Sequence, residues 1–325
     1  MKRFVIKYLR RGKKFILGSA NADIRRLWKK KLRKLLGIKP AEFTYNLGIC
    51  TYFKDDAPYL GEWIEFHRLV GVEKFFLYDH ASSDNYLKVL KPYIDRGIVD
   101  VIDVSKAPYD LRLAVAAYMD CIIKHEYNVK WIAFINVDEF LFSPIKDDLK
   151  EVLIDYEDYA GVGVNWQVFG SSGHIEKPAG LQIESYTKRA KKDFWANHNV
   201  KPIVNPRRVL CVNNPHCFHY INGFCVNENK RETGVKIPDF HGRKKYLGKP
   251  GCFSFSCPVS VSKLRINHYV TRSKEEGRWK IRERSKAGMA TDFDGFWEEH
   301  DRNEVEDTEI LRFVPRLKEN LKKGI

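Results

Sequence analysis

From residue 46 onward, short apolar runs alternate with longer stretches whose apolar residues recur at helical spacing. Residues 47–52 read as a buried strand. Asp56 and Pro58 then supply a cap and an early-helix proline. Leu60, Trp63, Ile64, Phe66 and His67 share one face of a helix over 59–70, which Gly71 breaks. Residues 74–78 form a second strand, and Ser83 caps a helix through about 94. After Gly97, residues 98–102 are a third strand, 110–126 a helix and 131–135 a fourth strand. Alternation of this kind predicts an α/β protein with a mostly parallel sheet covered on both faces.

The first 40 residues follow a different pattern. Ile24, Leu27, Trp28, Leu32, Leu35 and Leu36 make one apolar stripe, with Lys and Arg around the rest and Gly37 and Pro40 ending the run. Phe4, Val5, Tyr8, Leu9, Phe15 and Ile16 repeat the theme more loosely. Charge sharpens the division. Of 57 Lys+Arg and 42 Asp+Glu, residues 1–39 hold fifteen basic and one acidic, leaving 42 basic and 41 acidic for the remainder. This predicts a basic amphipathic arm (1–42) that lies on an anionic membrane surface, a near-neutral globular body (43–315) and a short basic tail (316–325). A body without a second basic patch argues against a nucleic-acid partner. Charges interrupt every apolar run near the start, unlike a cleaved signal peptide. Seven cysteines without C-x-x-C pairs fit neither a zinc cluster nor a secreted disulfide scaffold, and point to reduced thiols in the cytosol.

In parallel α/β sheets ligands gather at the carboxyl ends of the strands, and polar clusters fall there. Asp79, His80, Ser82, Ser83 and Asp84 follow the second strand; Asn136, Asp138 and Glu139 follow the fourth. Oxygen ligands in such a place suit Mg²⁺ or Mn²⁺ bridging to phosphate. Each cluster alone is also what a solvated strand end or a helix cap looks like. No G-x-G-x-x-G or Walker loop follows the first strand, which removes the dinucleotide and P-loop readings.

These segments, in order, resemble glycosyltransferase family 92 and its bacterial relatives. The resemblance is carried by residues 50–67 (CTYFKDDAPYLGEWIEFH), 77–84 (LYDHASSD), 134–141 (FINVDEFL), 166–174 (WQVFGSSGH), 201–206 (KPIVNP), Pro215-His216, 267–276 (NHYVTRSKEE) and 303–307 (NEVED). It implies the GT-A fold and an inverting, metal-dependent transfer of a hexose, galactose above all, from a UDP-sugar. The acceptor is then a glycan or lipid-linked sugar of a cell-surface polysaccharide, and the place of work the cytoplasmic face of the membrane. Asn136 stands where the family's first D-x-D aspartate would be, and His80 where an asparagine is usual. That leaves Asp138 as metal ligand, with His268 resembling the late histidine that completes such sites; a buried, hydrogen-bonded histidine is the alternative.

By the same analogy Thr51, Asp79, Ser82 and Asn136 lie near the nucleotide. Lys201 and Arg207 would neutralise phosphate or bind a charged acceptor, or be surface cations. Trp166 would stack on a sugar or belong to the core, and Ser171, Ser172, Gly173 and His174 would meet sugar hydroxyls. An inverting transfer also needs a base, for which Asp193, Asp239, Glu232 and His174 are candidates. A non-enzymatic, anionic-surface-binding module with a degenerate sugar-nucleotide site is the competing reading, kept open by Asn136; a metal-dependent phosphohydrolase is the third.

Overall fold

The computed structural model describes residues 42–106, 111–233, 254–286 and 292–323, with the pairs 237–238 and 244–245. The basic arm and Asp239 lie outside the described residues. In chain order the strands that build the central sheet are β1 (Tyr45–Phe53), β2 (Lys74–Asp79), β3 (Val99–Asp103), β4 (Val129–Phe134), β5 (Glu139–Phe142), β6 (Gly161–Val168), β7 (Val200–Val204) and β8 (Arg265–His268). They lie in the order β3-β2-β1-β4-β7-β6-β8-β5, and the short strand Cys225–Val226 joins β6 as the ninth. The half containing β3, β2, β1 and β4 is parallel throughout. The other half is mixed: β7 runs antiparallel to both β4 and β6, β8 is parallel to β6, and β5 is antiparallel to β8.

The helices are α1 (Ala57–Leu69), α2 (Tyr86–Asp95), α3 (Leu111–His125), α4 (Lys274–Lys286), α5 (Phe293–His300) and α6 (Val314–Lys323). Strand alternation sorts the core into two layers. Along β2, Phe75 and Leu77 pack with Trp63, Ile64 and Leu90 of α1 and α2, whereas Phe76 and Tyr78 pack with Tyr118 and Ile122 of α3. Every residue of β2 is buried, the signature of a strand covered on both sides.

Three local expectations change. Asp56 makes no capping bond; Asp84, from the loop after β2, accepts the Ala57 N–H at 2.7 Å instead. Ser83 does not cap α2 but donates through both its N–H and its hydroxyl to Asp55. Because β1 and β2 are neighbours, the loops that leave them lie side by side and exchange caps, which no local spacing reveals. The basic tail is also absent as such. Residues 314–323 form α6, whose Val314, Leu317 and Leu321 pack on the core beside Phe313. Apolar residues three and four positions apart make one face, and the core covers it.

Candidate functional site

The turn after β4 holds itself together. Asn136 N–H donates to Glu139 Oε2 at 2.8 Å, and Glu139 N–H donates to the Asn136 carbonyl at 3.1 Å. Helix α1 then stitches the following strand in place. Trp63 Nε1 donates to the Glu139 carbonyl at 2.8 Å. His67 accepts the Leu141 N–H on Nε2 at 3.1 Å while its Nδ1 donates to the Trp63 carbonyl at 2.7 Å. The spacing of Trp63 and His67, one helical turn apart, therefore anchors the acidic turn as well as the core.

Opposite that turn, β8 pairs with β5 so that His268 faces Glu139. Asp138, Glu139 and His268 each offer a ligand atom within 4.8 Å of the others. Asp138 Oδ1, Glu139 Oε1 and His268 Nδ1 are buried without hydrogen-bond partners among the described residues. Orphaned buried polar atoms are costly unless a ligand completes them. Two carboxylate oxygens and an imidazole are a donor set that fits Mn²⁺ or Mg²⁺. Glu139 is the site residue that the sequence reading left unassigned, although it sits inside the quoted FINVDEFL segment.

Two lysines flank the acids, Lys201 buried and Lys280 partly exposed. Lys280 Nζ donates to Asp138 Oδ2 at 2.7 Å and to the Val270 carbonyl at 2.9 Å. Lys201 Nζ lies 3.4 Å from Asn136 Oδ1 and 3.6 Å from Glu139 Oε2. Burial alone would raise the Asp138 carboxyl, but Lys280 and then His268 hold it well below the usual range. Burial pushes Glu139 up, with Lys201 opposing. With two carboxylates matched by two ammonium groups, this part of the site brings no net charge to a diphosphate, and a divalent cation would bring +2. A second aspartate at position 136 would cancel part of that charge, so the asparagine is consistent with a site whose lysines are built in.

The other candidate residues separate into groups. Thr51 and Asp79 lie at the carboxyl ends of the neighbouring strands β1 and β2, both buried. Asp79 accepts from Ser82 N–H and Tyr86 hydroxyl, and Ser82 accepts from Asp55 N–H, so these groups shape the loop beside the site. Trp166 is near the end of β6, its ring 4.2 Å from that of His268, and its Nε1 is buried without a partner among the described residues.

The 171–174 loop is tied to several neighbouring segments. Ser171 N–H bonds Asp301, Ser172 N–H bonds Asn303, the Ser172 hydroxyl accepts from Thr187 and Lys188, and His174 Nε2 donates to the Ser185 carbonyl. The Ser172 hydroxyl and the His174 imidazole thus tie the loop to residues 185–188, while the Ser171 hydroxyl accepts from Gly173 N–H within the loop. At Gly170 a Cβ would meet the Arg302 carbonyl at 2.5 Å, so the glycine permits backbone contact, not ligand approach. Arg207 is displaced from the site. It bonds the Glu126 carbonyl and stacks on Phe43 and Tyr127, next to the start of β4, whereas Asp138 follows the end of that strand. Asp193 and Glu232 are exposed, and neither lines the cavity described next.

A cavity of about 500 Å³ opens beside His268 on the mixed half of the sheet. Trp166, Trp195 and Phe296 give it aromatic walls, and Asp292, Glu299 and His300 line it from α5 and its cap. Asp292 is spent on capping α5 at Asp294 and Gly295. Glu299 is half exposed, and His300 Nδ1 lies 3.7 Å from its carboxylate. Sequence reasoning missed this wall because Phe296 of α5 packs with Val168 of β6 and with Val270 only in the folded chain.

A glycosyltransferase family 92 protein from Ricinus communis is 29% identical over 204 residues, 60% of this chain and 35% of that protein. A galactan β-1,4-galactosyltransferase from Arabidopsis thaliana is 31% identical over 107 residues, 30% of this chain and 20% of that protein. The chain thus spans about a third of the length of the curated relatives it matches over the longest stretches. Among solved structures, S. aureus TarS superposes with a TM-score of 0.34 at 10% identity, over 50% of this chain and 47% of that one. The glycosyltransferase family 92 profile matches residues 45–283, and the chain belongs to that family.

Proposed function

We propose that this chain is an inverting glycosyltransferase that moves a hexose, galactose, from a UDP-sugar to a glycan or lipid-linked acceptor. The observation that carries the reading is the cluster of Asp138, Glu139 and His268 at the carboxyl ends of the strands, each residue with a buried polar atom that lacks a partner among the described residues. Those three residues would hold Mn²⁺ or Mg²⁺, which when bound supplies Lewis-acid stabilisation of the departing diphosphate. Thr51 and Asp79 border the nucleoside, over the parallel half of the sheet. Trp166 and Phe296 offer faces on which an acceptor sugar stacks in the adjoining cavity. Glu299, the half-exposed carboxylate of that cavity, takes the acceptor hydroxyl proton; Asp239 is the alternative. The galactosyltransferase relative supports the choice of hexose. The basic arm would bind an anionic, cytoplasmic membrane face, where a lipid-linked acceptor lies, with about 1 kcal/mol per basic residue near the surface.

The test is a panel of nucleotide sugars incubated with and without Mn²⁺, followed by UDP release. UDP-galactose with metal should give turnover, and Asp138→Asn should abolish it without unfolding the protein. A wild-type chain that binds anionic liposomes but shows no UDP affinity with Mn²⁺ would establish the non-enzymatic module instead.

A further inference from the structure

Two cations of the site have hydrogen-bonding capacity that the fold does not use. Arg272 sits in the left-handed region at φ +53°, a conformation that costs a non-glycine residue of order 1 kcal/mol or more and persists where function needs it. Its guanidinium lies 3.5 Å from the centre of the Tyr59 ring and 3.9 Å from Asp56, and Nε donates to Gln182. Its Nη2 is buried and has no hydrogen-bond partner among the described residues. Around it, Glu276 accepts from Tyr186, Ser273 and Tyr59, which ties the start of α4 to α1 and to the segment before 188. Lys280, one helical face further on, spends two of its three N–H groups on Asp138 and the Val270 carbonyl. Both cations act on Asp138 and on Asp56.

We propose that Arg272 and Lys280 form a clamp for the diphosphate of the nucleotide donor. Arg272 Nη2 and the third Lys280 N–H donate to phosphate oxygens beside Asp138. Stacking on Tyr59 fixes the guanidinium before a ligand arrives, so little side-chain entropy is lost on binding. The inference rests on the sugar-nucleotide reading above and adds to it a metal-independent share of diphosphate recognition.

Calorimetric titration of the full chain with UDP and with uridine, both in the presence of Mn²⁺, tests it. Lys280→Gln and Arg272→Lys, the latter keeping the charge but removing Nη2, should each weaken UDP at least about tenfold and leave uridine within about twofold. Inorganic pyrophosphate should compete with UDP on the wild type and lose that ability on both variants. Unchanged UDP affinity in both variants, or equal losses for UDP and uridine, would overturn the clamp. A wild type that binds no UDP removes the sugar-nucleotide reading itself, a result distinct from variants that bind as well as wild type.

Discussion

His67 shows how one buried side chain couples core and site. Both ring nitrogens are used, Nδ1 as donor and Nε2 as acceptor, so only the neutral ring fits. Burial pushes its pKa down to about 3. Since the folded value lies below the unfolded one of about 6.5, the unfolded state binds the proton first. Its stabilisation is complete above about pH 6.5 and is lost as pH falls toward 3. Asp56 and Glu62, both raised to about 6 mainly by burial, oppose this: their contribution falls as pH rises from about 4 to 6. His67→Gln should lose about 1–3 kcal/mol at pH 7, measured by urea unfolding, and its stability should fall less steeply than wild type between pH 6.5 and 4. An identical pH slope would show that His67 is not the neutral partner described. The type and position of His67 were readable as a helix-face residue; its bond to Leu141 was not, because that partner lies 74 positions away.

Among the elements, β8 decides whether the site exists, since it alone brings His268 to Glu139. The segment entering β8 is organised by Glu228, a buried carboxylate that accepts N–H bonds from Ser262, Lys263 and Leu264 and hydroxyl bonds from Ser260 and Ser262. Burial would raise this carboxyl, but those donors hold it below the usual value, so its stabilisation is present above about pH 4.5 and is lost on acidification. Glu228→Ala leaves several buried donors unpaired and should cost about 3 kcal/mol or more, read as a lower melting temperature, with weaker Mn²⁺ binding by electron paramagnetic resonance as β8 loosens. Full-strength metal binding in a destabilised Glu228→Ala would show that β8 holds His268 without this hub. The 171–174 loop belongs to the same scale. Its Gly, Ser and His composition suits either a sugar site or a staple, and Gly170→Ala should destabilise the chain because a carbonyl and an amide of Arg302 occupy the space. A neutral effect in thermal unfolding would contradict the close packing.

At the scale of the whole molecule the charge asymmetry of the sequence survives as a prediction about location. Deleting residues 1–39 should remove most binding to phosphatidylglycerol-containing vesicles and the salt sensitivity of what remains; sedimentation that is unchanged would place the membrane contact on the body. The body itself was legible in its parallel half. The strands and helices from residue 45 to 134 follow from apolar periodicity because each is buried on one face or both, whichever element covers it. Asp138 and His268 were legible as chemistry at strand ends, through the resemblance of their segments. What only the tertiary structure decided is partnership: Glu139 and two lysines beside them, the staple made from the 171–174 loop, Arg207 at the far end of β4, and a cavity walled by α5. Periodicity reports which face of an element is buried, because burial repeats with the backbone's own period. It carries no record of which distant element does the burying, since that is settled by the crossing order of strands and by the packing of side chains that meet only once the sheet has formed.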